Sequence, residues 1–381
     1  RLPRRGFLVA MDVVRAGLVA TLPFVDQIWQ IYLLVFLLQS ASASFTPTFQ
    51  ATIPDVLPDE RDYTRALSLS RLAYDLESLL SPTIAAGLLA FVSFHWLFAG
   101  TALGFVASAL LVLSTVIPPA VAAAHRGSLY DRTTRGLRIY LATPRLRGLL
   151  SLNLAAAAGG AMVIVNTVVV VQGLLGRTEA DVAIALAMFG AGSMLAALLL
   201  PQILDRLPDR TLMLAGAGLL TAALAGLALA SRGGAVHWPA TYWPVLLAAW
   251  LVMGLGYSAV LTPSGRLLRR SSHQPDRPAL FAAQFALSHA CWLLTYPLAG
   301  WLGAEYGMAT ALLVLGGLAG LGVAAALVLW PADDPDAIEH VHDDLALDHP
   351  HVRGAARSGR GVRHVHAFVI DDYHRHWPER G

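Results

Sequence analysis

Lysine is absent: all 27 basic residues of this 381-residue chain are arginine. No mechanism attaches to that skew. Cysteine is nearly absent too, with a single Cys291 in an apolar run, so disulfides within the chain are excluded and a redox role has little to rest on. Charge is scarce. Only 14% of residues are charged, against about 25% in an ordinary soluble domain, while 56% are hydrophobic and the mean hydropathy is +0.58. A formal net charge of +2 points to neither an acidic nor a basic partner, and no nucleic-acid ligand is expected. The chain has no Gly-x-x-x-x-Gly-Lys-Ser/Thr segment, which argues against a self-powered pump. No Ser/His/Asp or metal-catalytic spacing falls within the apolar part, so an enzyme is not expected.

What the chain does have is long apolar runs. Ten of them are near the length needed to cross a hydrocarbon core of about 30 Å: 6–23, 27–48, 64–90, 95–117, 147–172, 180–202, 211–230, 241–263, 278–302 and 308–330. The loops between them alternate in charge. Seventeen arginines fall on one side and only Arg177 and Arg232 on the other, which places the arginine-rich side, and both chain ends, in the cytoplasm.

The chain also repeats itself. Arg1-Leu2-Pro3-Arg4-Arg5 returns as Arg206-Leu207-Pro208-Asp209-Arg210, each copy leading straight into an apolar run. Thr46-Pro47 is answered by Thr262-Pro263, and Ser81-Pro82 by Tyr296-Pro297. A repeat at this spacing means two related halves of a membrane bundle. In the second half, two spans precede the basic turn; in the first half, none does. The expected complete protein therefore has twelve helices, six plus six, with two helices (about 60–75 residues by analogy with the second copy) upstream of Arg1. A genuine ten-helix bundle is the alternative.

These residues resemble the major facilitator superfamily, whose signature between the second and third helices of each half is an aspartate, an arginine, a turn, then further arginines. Asp205, Arg206, Asp209 and Arg210 match it in the second half, and Arg1, Arg4 and Arg5 in the first. The family's glycine in that turn is proline in both copies. Arg135-Gly136-Leu137-Arg138-Ile139-Tyr140 and Ser81-Pro82-Thr83-Ile84-Ala85-Ala86-Gly87 look like the central-loop helix and third-span motif of the drug- and siderophore-exporting branch. The resemblance implies an all-α membrane protein of the bacterial inner membrane, a monomer, working on a small-molecule substrate and protons. It divides the chain into a first half-bundle at 1–117, a cytoplasmic central loop at 118–146, a second half-bundle at 147–331 and a tail at 332–381. It also implies that the basic turns act as a latch, stable in one arrangement of the halves and broken in the other. The plainer reading is that these arginines only set topology.

Charges inside spans cost about 2.5–3.5 kcal/mol each at a helix centre, so they are rarely idle. Asp12 and Arg15 are three apart in the first span; Arg71 and Asp75 are four apart in the third. Glu77 is turned about 160° from Asp75 on the same helix. A structural ion-pair network is one reading. Proton coupling is the other, with Glu77 the better carrier because its own helix offers it no partner. His289, the only mid-span histidine, suits a packing role. A cavity is expected along polar and aromatic faces: Gln30 and Gln39 in the second span, Asn153 and Thr167 in the fifth, and Trp250 and Tyr257, in a stripe with Trp243, in the eighth. The resemblance places these spans around the cavity, and aromatics with uncharged amides suit a bulky, apolar or weakly cationic ligand. Ordinary helix packing is the competing view.

After Pro331 the composition changes. The last fifty residues hold ten acids, six arginines and eight of the thirteen histidines, every one of the eight in a His-x-His pair: His340/His342, His349/His351, His364/His366 and His374/His376. In an extended segment, residues two apart point the same way, so each pair can offer two imidazoles to a metal such as Zn²⁺ or Ni²⁺. Asp343, Asp344, Asp371 and Asp372 are candidates to complete the shell, and 362–370 is a candidate strand. No other cofactor is expected. The bland alternative is a solvating polar tail. The reading that follows is a proton-coupled exporter of small organic molecules. Its rivals are a divalent-metal exporter of the same fold and an inert membrane sensor or scaffold with a partner-binding tail.

Overall fold

The structure is a computed structural model that describes residues 3–89, 91–118, 128–231, 239, 241–335, 337–342, 345, 349–352, 356–358 and 361–378. The first half contains α1 (Arg4–Thr21), α2 (Ile28–Val56), α3 (Glu60–Leu89) and α4 (Phe94–Ser114). A short amphipathic helix, α5 (Leu129–Ala142), follows. The second half contains α6 (Pro144–Val168), α7 (Glu179–Leu204), α8 (Asp209–Ala230), α9 (Tyr242–Leu261), α10 (Ser264–Arg270), α11 (Arg277–Tyr306) and α12 (Met308–Leu329). The tail then forms a small antiparallel sheet from β1 (Ala337–His342), β2 (Ala356–Ser358) and β3 (Gly361–Ala367), in the order β1-β3-β2.

Nine candidate membrane spans lie among the described residues, taking α9 and α10 together. α3, with 30 residues, is long enough at about 1.5 Å per residue, but Arg71, Asp75 and Glu77 keep it below the apolarity of the other nine. Large apolar side chains such as Phe36, Leu111, Leu293 and Val328 stand exposed on the helices, as a lipid-facing surface requires. Between the helices the residues are small instead. Ala155 to Ala158 of α6 are fully buried, and α6 packs against α8, α9, α11 and α12 at the centre of the second half. α7 and α9 approach almost backbone to backbone: a Cβ on Gly254 would lie 1.9 Å from the Phe189 carbonyl oxygen, and one on Gly192 2.0 Å from that of Leu251.

The internal repeat is visible in local geometry. Pro3 and Pro208 flank α1 and α8 with nearly identical backbone angles (φ −59°, ψ 145° and φ −60°, ψ 145°). Proline suits this place because the first helical N–H groups have no partner to lose. The halves meet along two helix pairs, α3 on α7 and α2 on α11, while α5 lies across α11.

Candidate functional site

Three separate clusters receive the charges and polar residues singled out in the spans. The first is internal to the first half. Asp12 is fully buried, ion-paired with Arg15, and accepts a hydrogen bond from Ser108 Oγ of α4 at 2.9 Å. The Arg15 guanidinium stacks 4.0 Å from the Phe45 ring centre and 4.6 Å from that of Phe105. This cluster joins α1, α2 and α4, and no bond from it to the second half is found among the described residues.

The second cluster spans the two halves. Arg71 Nη2 lies 2.6 Å from Asp75 Oδ1, and Arg71 Nε also donates to Ser193 Oγ of α7 at 3.2 Å. The Arg71 guanidinium sits 4.7 Å from the Tyr257 ring of α9 and 5.2 Å from that of Tyr74. Tyr257 continues an aromatic wall, 5.4 Å from Phe189 and 6.1 Å from Trp292, which is itself 4.9 Å from Tyr296. Glu77 is exposed, and no partner for it is found among the described residues. Ser193, Phe189 and Trp292 carried no sequence signal, because a serine in an alanine-rich helix and aromatics in apolar runs look like packing.

The third cluster lies within the second half. Trp250 Nε1 donates to Thr167 Oγ1 at 2.9 Å, and the Thr167 hydroxyl donates back along its helix to the Val163 carbonyl. Both residues are buried. Asn153 is buried with neither side-chain amide atom partnered among the described residues. Gln30 closes the capping box of α2, its Oε1 accepting from the Gln27 N–H at 3.1 Å. Gln39 is exposed. His289 bonds to the carbonyl of Phe285 one turn back, at 2.7 Å.

The arginine-rich end is closed by ion pairs between the halves. Asp55, at the end of α2, holds Arg4 of its own half at 2.5 Å and also Arg277 of α11. Arg266 of α10 holds Asp209 of its own half at 2.9 Å and reaches Glu60 and Thr64 of α3, each at 2.6 Å. Arg269 donates to the Pro58 carbonyl, and Arg61 lies 3.7 Å from Asp205 across an exposed gap. Arg5 and Arg210, equivalent in the repeat, each donate to the end of the last helix of their half: Arg5 to the Leu113 carbonyl of α4, Arg210 to that of Trp330 after α12, the latter at 2.9 Å. Arg206 is exposed and makes no ion pair among the described residues; Arg1 lies outside them.

The tail packs on this same end. Arg135 of α5 grips Asp276 at 2.5 Å and Asp372 of the tail at 2.8 Å. Buried Arg145 lies 3.1 Å from Asp334 and 5.2 Å from the Trp377 ring. Antiparallel pairing sets His340 opposite His364, so His340 and His342 of β1 share a face with His364 and His366 of β3. His351 and His374 close over that face, and ligand nitrogens of His340, His342, His351, His364 and His374 all lie within 4.8 Å of one another. The His366 ring is 4.8 Å from that of His340. Of the eight histidines, two stay outside. His349 accepts from the His351 N–H and lies beside Tyr373, and His376 lines a cleft of about 660 Å³ with Leu141, Pro144, Arg147 and Trp377. Burial, then the neighbouring imidazoles, push His351 and His364 down to about 4; in His340 the same two causes outweigh a bond to the Ile338 carbonyl and give the same value. Asp371 is half-buried, which by itself raises its carboxyl, yet hydrogen bonds from His273 and His374 outweigh this and hold it far below the usual range. Asp343 and Asp344 lie outside the described residues.

No curated protein sequence matches the chain. Among solved structures, the fold is similar to a bacterial homologue of the iron transporter ferroportin in its outward-facing state. The TM-score is 0.62 at 14% identity, over 86% of this chain and 82% of that one. It is also similar to the E. coli fucose:proton symporter, with a TM-score of 0.63 at 14% identity, over 86% of this chain and 84% of that one. The sequence itself matches the family model of the Major Facilitator Superfamily over residues 1–241 and 149–358. Two repeated halves, closed at one end by shared charges and matched over most of their length, make this chain a member of the Major Facilitator Superfamily, a family of membrane transporters and not of enzymes.

Proposed function

We propose that the protein is a proton-coupled exporter of small organic molecules working by alternating access across the bacterial inner membrane, with its arginine-rich end cytoplasmic. One observation carries this reading. The Arg71–Asp75 pair of α3 is bonded to Ser193 of α7 and faces Tyr257 of α9, so its surroundings depend on how the halves stand. A carboxylate whose neighbours change as the halves rock can take a proton in one state and release it in the other. The aromatic wall of Phe189, Tyr257, Trp292 and Tyr296 beside it suits an apolar or weakly cationic ligand. With the arginine-rich end inside, the closed arrangement described here is the outward-facing one.

The test is transport into everted membrane vesicles carrying the protein, with a fluorescent lipophilic cation as probe. Uptake should follow an imposed proton gradient and collapse with an uncoupler. Gradient-independent uptake would remove proton coupling, and no uptake above control vesicles for any aromatic or cationic probe would remove the organic cargo. A divalent-metal cargo is the second reading, favoured by the convergence of histidines at the arginine-rich end. Gradient-driven Ni²⁺ or Zn²⁺ uptake by the same vesicles, with no uptake of organic probes, would make it the better account.

A further inference from the structure

The ring nitrogens of the tail face one another in a way that neutral imidazoles alone do not satisfy. The Ile338 carbonyl and the Asp371 carboxylate can only accept, so His340 Nδ1, 3.0 Å from the first, and His374 Nδ1, 2.9 Å from the second, each carry the ring hydrogen. Each ring then presents a bare Nε2, and these two Nε2 atoms are 3.0 Å apart. Lone pair against lone pair at that distance is repulsive unless a cation lies between them. A single proton could bridge only one such pair. The crowding extends further. His364 Nε2 is 3.0 Å from His340 Nε2, and His351 Nε2 is 3.3 Å from His374 Nε2. His366 gives its Nδ1 hydrogen to the Ala367 carbonyl at 2.8 Å, leaving a buried Nε2 with no hydrogen-bond partner among the described residues.

We infer that the tail sheet is a binding site for one divalent first-row transition-metal ion of the Ni²⁺ class, held by the imidazoles of His340, His351, His364 and His374, with His342 and His366 completing the coordination. Around an ion with metal–nitrogen bonds of about 2.1 Å, adjacent donors of an octahedron stand about 3.0 Å apart and opposite ones about 4.2 Å. The close contacts of 3.0, 3.0 and 3.3 Å match adjacent donors, while the 4.8 Å span of the set is wider than opposite donors, so the outer rings would draw in on binding. A structural zinc site is filled by four ligands, and five or six imidazoles exceed its need. The only thiol of the chain, Cys291, lies in α11, so the site is nitrogen-only, which suits Ni²⁺ or Co²⁺ over Cu⁺. Asp371 supplies the supporting carboxylate, fixing the tautomer and orientation of His374 while also reaching His273 at 3.4 Å. This site stands whether the transported cargo is organic or metallic.

The experiment is calorimetric titration of NiCl₂ into the full-length chain, purified in detergent on a tag without histidine and stripped with a chelator. One ion should bind per chain. His340→Ala with His364→Ala should weaken binding by about 100-fold or more, and Asp371→Asn by about tenfold. His349→Ala with His376→Ala, the two histidines outside the cluster, should stay within about twofold. Because the sheet variant removes two packed rings and can misfold, His351→Ala, in the turn Pro350–Val352 outside the sheet, gives a second reading, with a loss of about tenfold expected. The Co²⁺-loaded protein should show the weak visible bands of a five- or six-coordinate ion. Absence of saturable binding, equal losses from the 349/376 and 340/364 variants, an unaffected His351→Ala protein, or the intense bands of tetrahedral Co²⁺ would each overturn the assignment.

Discussion

Asp75 is held within its own helix by Arg71, which reaches across to Ser193 and faces the Tyr257 ring of the other half, whereas Glu77, two residues on, has no partner among the described residues. These carboxylates are therefore expected to differ under substitution. Asp75→Asn keeps a hydrogen-bonding side chain but removes the charge opposite Arg71. It should abolish concentrative transport in proteoliposomes while substrate counterflow continues. Glu77→Gln should do the same only if Glu77 is the group that cycles the proton. If both variants concentrate substrate at wild-type rates, the charges of α3 are structural. The residue scale was partly legible in the sequence. Four-residue spacing identifies Arg71 and Asp75 as a pair, but no spacing within α3 can show that Ser193, 122 positions away, receives the same guanidinium. Gln30 carries the complementary lesson: as an amide in an apolar span it suggests a cavity, yet it lies one turn from the helix start, where capping the free N–H groups is its role in the structure.

At the scale of elements, the α7–α9 crossing rests on Gly192 and Gly254, with no room for a side chain on either facing surface. Gly254→Ala would drive a methyl into the Phe189 carbonyl, force the helices apart and cost about 1–3 kcal/mol, read as a lower thermal midpoint of the detergent-solubilised protein. Gly218→Ala, where a Cβ meets no atom within 4 Å, should leave that midpoint unchanged or slightly higher. The repeat was readable in sequence because its turns are short and carry Pro and Arg, residues with fixed backbone and charge roles. The same Thr-Pro dipeptide nevertheless has two outcomes: α2 runs on through Pro47, while Thr262 and Pro263 separate α9 from α10. Proline weakens a helix at that point, and the surrounding packing decides whether it breaks. The tail shows the same limit. Alternating histidines favour strands, but only the β1–β3 register brings pairs from distant segments onto one face.

For the whole molecule, the arginine asymmetry predicts that a cytoplasm-active reporter fused after Gly381 works and a periplasm-active one does not; the opposite result would invert the assignment of the closed end. Closure itself can be probed through Asp55. Asp55→Asn weakens the hold on Arg277 and should raise the reactivity of a cysteine introduced at the arginine-rich interface, measured with a membrane-impermeant thiol reagent in a Cys291→Ser background. Unchanged reactivity would leave Asp55 out of the closing contact. Asp55 and Arg266 share a further property. Each holds one partner in its own half, Arg4 or Asp209, and one in the other half, Arg277 or Glu60. If the halves part as alternating access requires, each would keep its companion and release only the visitor to water, so separation would strand no bare ion where solvation is poor. The two arrangements would then differ little in free energy, and a ligand preferring one of them by only a few kcal/mol would suffice to tip the balance. In the proposed cycle, a closing end built this way would work like a clasp with a permanent and a detachable arm, reversible enough to be turned over each time.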